Sequence, residues 1–265
     1  MALNIGIIGF GRMGKAIAVG LINSGVSPAN IMVYDKILEA LQNAKELGLK
    51  TMSSNIETVL NSDITIIAVK PSDVAKVLSE ISSDSINRVI VSIAALVPYK
   101  TIKSYLPKSY VYRAMPNIAV EVNRGFIALT PHGEKDSDVE KLFRFLGDVV
   151  WVDEDTLDIL TLISASTPAL IAEIADAFIL AALKAGIPYA IAKKATSSIF
   201  KGVGELLEHR SVSDIRDSVI TPRGVTIRLI EKLYTFDAKS KLLQVLSSSI
   251  DDYLSMLNEA RDKYK

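Results

Sequence analysis

Gly9-Phe10-Gly11-Arg12-Met13-Gly14 is the first group of residues in the chain whose spacing could do chemistry. It follows the apolar run NIGII and opens an amphipathic stretch, the strand–turn–helix context in which glycines so spaced hold a dinucleotide. One glycine serves the tight turn, one lets pyrophosphate approach the backbone, and one lets the helix pack closely on the strand. The helix start then offers unpaired N–H groups and a positive dipole to the phosphates. The cofactor predicted is NADPH or NADH, with Gly9, Phe10, Gly11, Arg12, Met13 and Gly14 around its phosphates. Asp35 closes the second apolar run, 26 positions after Gly9. A carboxylate there accepts hydrogen bonds from the adenosine ribose and repels a 2′-phosphate, which favours NAD. Lys36 and Arg12 could compensate, and Asp35 also suits the start of a helix, so the choice between NAD and NADP stays open.

Other chemistries are excluded by what the chain lacks. Its 265 residues contain no Cys and two His, His132 and His209, 77 positions apart. Disulfides, thiolate metal sites, cysteine nucleophiles and a His-rich metal centre are therefore not expected, and no metal is predicted. Thirty basic and thirty acidic residues sum to zero, with 23% charged and no long basic run. That argues against nucleic acid or an anionic membrane as partner. The opening MALNIGIIGFG lacks the basic segment of a signal peptide, so a soluble cytoplasmic protein is expected. The run from Pro168 to Ala185, PALIAEIADAFILAALKA, carries Glu173 and Asp176 in its middle. Charges there are expensive in lipid, so it reads as a helix buried in a helical core or at a subunit interface.

The elements that must position these groups change character halfway. The runs 4–9, 31–35, 63–69, 88–93, 110–114, 125–130 and 148–152 are mostly continuous and rich in Val and Ile, which suits parallel strands covered on both faces. Helix-like segments such as 13–25 and 37–48 alternate with them, each ending near a Gly. The fold class predicted is α/β: an N-terminal Rossmann-type, doubly wound, mostly parallel sheet over residues 1–154. Residues 155–265 lack strand signals and read as an all-α dimerisation and substrate domain. Thr167-Pro168 and Thr221-Pro222 each place a hydroxyl at an expected N-cap and a proline at the first helical position. Trp151 reads as core, and His209 as a surface or helix-capping residue.

Several motifs in order resemble the pyrroline-5-carboxylate reductase family. They are the opening GxGxMG; Asn55-Ile56-Glu57-Thr58-Val59 with Ser62-Asp63 and Ala68-Val69-Lys70-Pro71; Val91-Ser92-Ile93-Ala94-Ala95; Arg113-Ala114-Met115-Pro116-Asn117 with Gly125; and Ser164-Ala165-Ser166-Thr167-Pro168-Ala169. The most specific is Arg216-Asp217-Ser218-Val219-Ile220-Thr221-Pro222-Arg223-Gly224-Val225-Thr226, leading into Leu229-Ile230-Glu231. The resemblance implies hydride transfer from a reduced nicotinamide to the C=N carbon of Δ1-pyrroline-5-carboxylate, giving L-proline. It implies a homodimer interlocked through the helical domains, or a larger homo-oligomer, with each active site between one subunit's nucleotide domain and its neighbour's helices.

The same resemblance assigns site residues. Asn55, Ala68, Val69, Lys70, Ala95 and Asn117 join the glycine-rich turn, Asp35 and Lys36 around the coenzyme. Val219, Thr221, Gly224, Val225 and Thr226 surround the small-molecule substrate. Thr221-Pro222 is expected to start a helix whose N–H groups near Gly224 to Thr226 bind the substrate carboxylate. The Thr226 hydroxyl, in the first turn, is the catalytic candidate, within reach of the ring nitrogen. A solvent-protonated imine is already electrophilic, so positioning in a dry pocket carries the reaction. Blander roles stand beside these: Lys70 as a solvated lysine, Asn55 as an N-cap before IETVL, Asn117 as a turn residue after Pro116. The family's Met-Pro-Asn-Thr-Pro continues here as Ile118-Ala119, and its glycines are replaced by Ala165, Thr167 and Arg223, adding bulk and restricting the backbone. Two alternatives remain: a β-hydroxyacid dehydrogenase-like enzyme and a non-catalytic NAD(P)-binding sensor. The first relies on a Lys followed four residues later by Asn, whereas Lys193 and Lys194 are followed by Ser197 and Ser198. The second has no need of a hydroxyl aimed at the nicotinamide.

Overall fold

The computed structural model describes residues 3–82, 87–134 and 136–263. They form two compact units, one reaching to Ser166 and resuming at Asp252, the other spanning Thr167–Asp251. The first unit is built on eight strands: β1 (Ile5–Ile8), β2 (Ile31–Tyr34), β3 (Lys50–Thr51), β4 (Ile64–Ile67), β5 (Val89–Ser92), β6 (Tyr110–Pro116), β7 (Gly125–Thr130) and β8 (Gly147–Trp151). They lie in the order β3-β2-β1-β4-β5-β6-β7-β8. The first six are mutually parallel, β7 runs antiparallel to β6, and β8 is parallel to β7. Seven runs read from the sequence are strands. The short β3 was not anticipated, because two residues at a sheet edge leave no periodicity to read.

Continuous apolar runs are needed because both faces of the sheet are covered. The helices are α1 (Arg12–Asn23), α2 (Leu38–Glu46), α3 (Asn55–Leu60), α4 (Pro71–Ile81), α5 (Tyr99–Tyr105), α6 (Asp136–Arg144) and α7 (Glu154–Leu160), then α8 (Thr167–Lys184), α9 (Tyr189–Leu207), α10 (Val212–Ser218), α11 (Val225–Thr235) and α12 (Ala238–Lys263). Ile5, Ile7, Ile64 and Ile66 pack in one core with Ile17 and Leu21 of α1 and Leu142 and Phe143 of α6. Their strand neighbours Ile8, Ile67 and Ile90 point the other way, onto Val74, Leu78 and Ile81 of α4 and Ile102 of α5. Each such side chain contributes about 1.5–3 kcal/mol on full burial, so a one-residue slip of register would exchange one core for the other. Trp151 is only partly buried at the edge of the first core, where its indole N–H donates to Glu140 Oε2 at 2.8 Å.

A charged network is built around the buried Arg113 of this unit. Arg113 of β6, 1% exposed, donates through Nη1 to Glu154 Oε1 at 2.7 Å and through Nη2 to Asp158 Oδ1 at 2.8 Å. Asp158 also accepts from Arg261 of α12 at 3.2 Å. Glu154 Oε1 in addition accepts the backbone N–H of Tyr99, at the start of α5. These pairs tie α5, α7 and the end of α12 to β6, within the unit that includes residues up to Ser166 and from Asp252 onward.

The sequence around Pro168 was expected to open a helix. Instead one helical run extends from Glu154 to Lys184, with a π turn at Thr161–Ser166 feeding α8. Proline has no N–H to offer and its ring crowds the carbonyl four residues back, so the ladder widens ahead of it. By length and composition this run could also cross a membrane. In the second unit α8 buries no residue, and Ala192 and Thr196 of α9 are the buried ones among its described residues. The burial of α8 in a helical core, one of the two readings of that stretch, is therefore not what this chain alone shows. Phe178 of α8 meets Phe200 of α9 edge-on at 5.6 Å, and Leu180, Ile191, Ile199, Leu229 and Leu243 are each more than half exposed.

Candidate active site

All the parallel strands end on the same edge of the sheet, and the order reverses between β1 and β4, the crevice where open α/β sheets bind ligands. Three glycines there divide the labour. Gly9 turns the chain at φ +94°, and a Cβ on it would lie 2.8 Å from the carbonyl of Ala68. A Cβ on Gly14 would collide with the carbonyl oxygen of Gly9, so only glycine lets α1 sit this close to β1. Gly11, the N-cap of α1, would meet nothing within 4 Å. Its emptiness is a cradle rather than a packing need, open to a group that must approach the backbone. The first-turn amides of α1 have no acceptor within the helix and face that space with the positive end of its dipole. These features fit a pyrophosphate.

Beside this turn lies a cavity of about 280 Å³. Of the residues expected at the coenzyme, Gly9, Gly11, Asp35, Lys36, Asn55, Ala68, Val69 and Lys70 line it. Asp35 is held from two sides: Oδ2 accepts the N–H of Phe10 at 2.6 Å and Oδ1 that of Ile37 at 2.9 Å. Lys36 reaches both carboxylate oxygens of Asp73, at 3.2 and 3.1 Å. Asn55 is 6% exposed and donates through Nδ2 to Glu80 Oε2 at 2.6 Å. It is not the N-cap of α3; Ser54 is, its hydroxyl accepting the Glu57 N–H at 3.1 Å. Lys70 is exposed and precedes Pro71 as the N-cap of α4.

The α4 side of the cavity, Asp73, Lys76, Val77 and Glu80, was not singled out from the sequence. The spacing of Asp73, Lys76 and Glu80 puts them on one helix face, a signal easily taken for an ordinary solvated stripe. The remaining coenzyme candidates do not line the cavity. Phe10 is buried in the core at 4% exposure, Met13 packs partly against it, Arg12 begins α1 exposed, and Gly14 serves packing. Ala95 follows β5 and packs against Met115, Ala128 and Leu157. Asn117 follows β6 on the same sheet edge. Its Oδ1 accepts the N–H of Ala119 at 3.2 Å, capping the short turn Ile118–Val122, and its Nδ2 donates to Ser164 Oγ of the π turn at 3.2 Å.

In the second unit the expected helix start moves by three residues. Thr221-Pro222-Arg223-Gly224 is a β-turn closed by the Gly224 N–H on the Thr221 carbonyl at 3.0 Å. Pro222 takes its second position and Arg223 its third with φ +61°, a conformation that favours glycine. The helix α11 begins at Val225 with Gly224 as N-cap. A proline suits the second position of this turn as well as the first of a helix, so the dipeptide alone could not separate them. The first-turn amides offered are those of Val225, Thr226 and Ile227. Thr226 is half-buried in that turn, while Val219, Thr221 and Val225 are exposed. His209, just past α9, is exposed beside Glu205 and Glu208, three ligand-capable groups within 4.8 Å of one another. Solvated carboxylates gather in this way without a metal.

Residues 154–256 match the family model described as pyrroline-5-carboxylate reductase dimerisation, and residues 4–96 one described as NADP oxidoreductase, coenzyme F420-dependent. A pyrroline-5-carboxylate reductase of Escherichia coli is 34% identical over 267 residues, covering 95% of this chain and 97% of that one. The chain belongs to the pyrroline-5-carboxylate reductase family. The structure of a family member from Coxiella burnetii superposes with a TM-score of 0.84 at 30% identity, covering 97% of this chain and 99% of the other. The reductase of Plasmodium falciparum, solved with NADP bound, has the same fold at 23% identity and a TM-score of 0.84 over 96% and 98% of the two chains. As a family member the chain is an oxidoreductase with a Rossmann-type unit. Against the family pattern, Arg223 occupies the one turn position whose φ asks for glycine, and Ala165 and Thr167 flank the end of the π turn.

Proposed function

We propose that this family member reduces the C=N bond of 1-pyrroline-5-carboxylate to give L-proline, using NADH or NADPH. The observation that carries the reading is the open cradle at Gly11 beside the 280 Å³ cavity, in a chain related over nearly its whole length to reductases of that name. When bound, the reduced nicotinamide supplies the hydride. The backbone of Gly9, Gly11 and the first turn of α1 holds the diphosphate, and Asp35 accepts a ribose hydroxyl. The amides of Val225, Thr226 and Ile227 bind the substrate carboxylate, with Val219, Thr221 and Gly224 around it. The Thr226 hydroxyl orients the ring nitrogen, which already carries a proton taken from solvent. No strong acid is needed, which agrees with a chain that has no cysteine and two histidines, one of them, His209, exposed.

The exposed apolar side chains of α8, α9 and α11 are the surfaces through which two copies pair, in a homodimer or a larger homo-oligomer. That reading accounts for the apolar run at Pro168–Ala185 without a membrane, and with it we read the enzyme as cytoplasmic. The test is a substrate assay on the purified protein with its mass measured by light scattering. Oxidation of NAD(P)H with pyrroline-5-carboxylate but not with 3-oxo acids, at twice the protomer mass or a higher multiple, is the expected outcome. Coenzyme binding without turnover would leave a nucleotide sensor instead.

A further inference from the structure

Resting on the reading of the cavity as the seat of the coenzyme's adenosine, we propose that this seat selects NADH over NADPH, through a clamped Asp35, with the neighbouring Lys36 drawn toward Asp73. An acid after the second strand disfavours a 2′-phosphate only if it stays in place and no cation offsets it. Asp35 cannot rotate away without abandoning two donors, the N–H of Phe10 at 2.6 Å and that of Ile37 at 2.9 Å. Phe10 is 4% exposed, so its amide would be left with poor access to water, a costly state for a backbone donor. Each carboxylate oxygen accepts one of these bonds and keeps a second lone pair for a ribose hydroxyl. A free 2′-hydroxyl can donate to it. A 2′-phosphate, with about −1.5 to −2 charge near neutral pH, cannot donate and is repelled.

Lys36 is the cation next to Asp35 in the chain and the natural partner for such a phosphate. Its ammonium, on a side chain 64% exposed, lies 3.2 and 3.1 Å from the two oxygens of Asp73, a carboxylate that partly offsets its charge. Glu80, on the same α4 face, adds a further carboxylate to the lining and is occupied by Asn55 Nδ2 at 2.6 Å. Lys70 and Lys76 also line the cavity, and Arg12, exposed at the start of α1, does not, so the side-chain charge of the lining is balanced, three lysines against Asp35, Asp73 and Glu80. A balanced lining offers no net attraction to an extra dianion.

The test is equilibrium binding of NADH and NADPH to the intact protein by calorimetry, repeated with 5′-ADP and 2′,5′-ADP, so that selection is read without turnover. The expected result is NADH tighter by on the order of tenfold or more, with 5′-ADP preferred over 2′,5′-ADP. Asp35→Ser should reverse the order. Asp73→Asn, which releases Lys36 and leaves Asp35 alone, should raise the affinity for NADPH relative to NADH, and it keeps the test decisive if Asp35→Ser does not fold. Equal or tighter binding of NADPH by the unaltered protein overturns the proposal, as does an Asp73→Asn protein with an unchanged ratio. Binding of neither dinucleotide overturns both this and the reading of the cavity. Selective NADH binding without reduction of pyrroline-5-carboxylate sinks the assigned reaction and leaves the selection standing.

Discussion

Replacing Asp158 by Asn removes one charge from the buried network under β6 and keeps the shape. In the folded protein Arg113 is 1% and Asp158 2% exposed, and they meet at 2.8 Å. Breaking a buried ion pair by neutralising one partner typically costs about 3–5 kcal/mol, because the remaining charge stays out of water. Here Glu154, 31% exposed and 2.7 Å from Nη1, still faces the guanidinium, which puts the expectation near the lower end, about 3 kcal/mol. Urea denaturation followed by the fluorescence of Trp151, the one tryptophan, reports on the unit concerned. With a slope of roughly 2 kcal/mol per molar urea, the midpoint should fall by about 1.5 M. Asp155→Asn is the control. That carboxylate is 79% exposed and its partner, Arg261, is 38% exposed, so it should cost about 1 kcal/mol or less. If Asp158→Asn costs no more than Asp155→Asn, the claim that a dry pair ties α7 to β6 is wrong.

Thr226→Ala should lower kcat/KM for pyrroline-5-carboxylate by about 1–3 kcal/mol of transition-state stabilisation, the range for one hydrogen bond lost in a dry site; unchanged steady-state kinetics would remove the hydroxyl from the mechanism. Gly11→Ala should leave the melting temperature unchanged yet weaken coenzyme binding, whereas Gly14→Ala, whose Cβ meets the Gly9 carbonyl, should lower both; calorimetry and thermal melts separate the two. Glu140 is held below the ordinary carboxylate range chiefly by the Trp151 indole N–H and then by Arg144. A depressed carboxylate stabilises the fold above its unfolded pKa and loses that contribution as pH falls through the folded value. The stability gap between the wild type and Trp151→Phe should therefore narrow on acidification below about pH 4.5, and a gap independent of pH in denaturation curves would contradict the assignment.

The nucleotide unit was the more legible half because its physics is local. Parallel strands covered on both faces must be unbroken apolar runs, so Ile64–Ile67 and Val89–Ser92 could be read directly. The glycine-rich turn was legible for the same reason, each glycine answering a separate local demand. What stayed hidden depends on competition between similar signals. Thr167-Pro168 looks like a helix start, and only the π turn ahead of it shows how a proline enters a running helix. Thr221-Pro222 looks the same, and the positive φ of Arg223, invisible in residue types, makes it a turn. The cavity's α4 wall was missed because Asp73, Lys76 and Glu80 are charged, and charge on a helix face ordinarily means solvent. Ser54 displaced Asn55 as cap because two adjacent residues could both fill the role.

The chain leaves the nucleotide-holding unit after Ser166 and comes back to it at Asp252, so the helical unit is an insertion carried on two covalent threads. Cutting the polypeptide after residue 251 would accordingly injure the sheet-bearing half, stripping Leu257 and Ala260 from its core and Arg261 from Asp158. Excising residues 167–251 and bridging the gap is the surgery that respects the architecture. Evolution could likewise exchange the pairing surface while the part that grips dinucleotide stays whole.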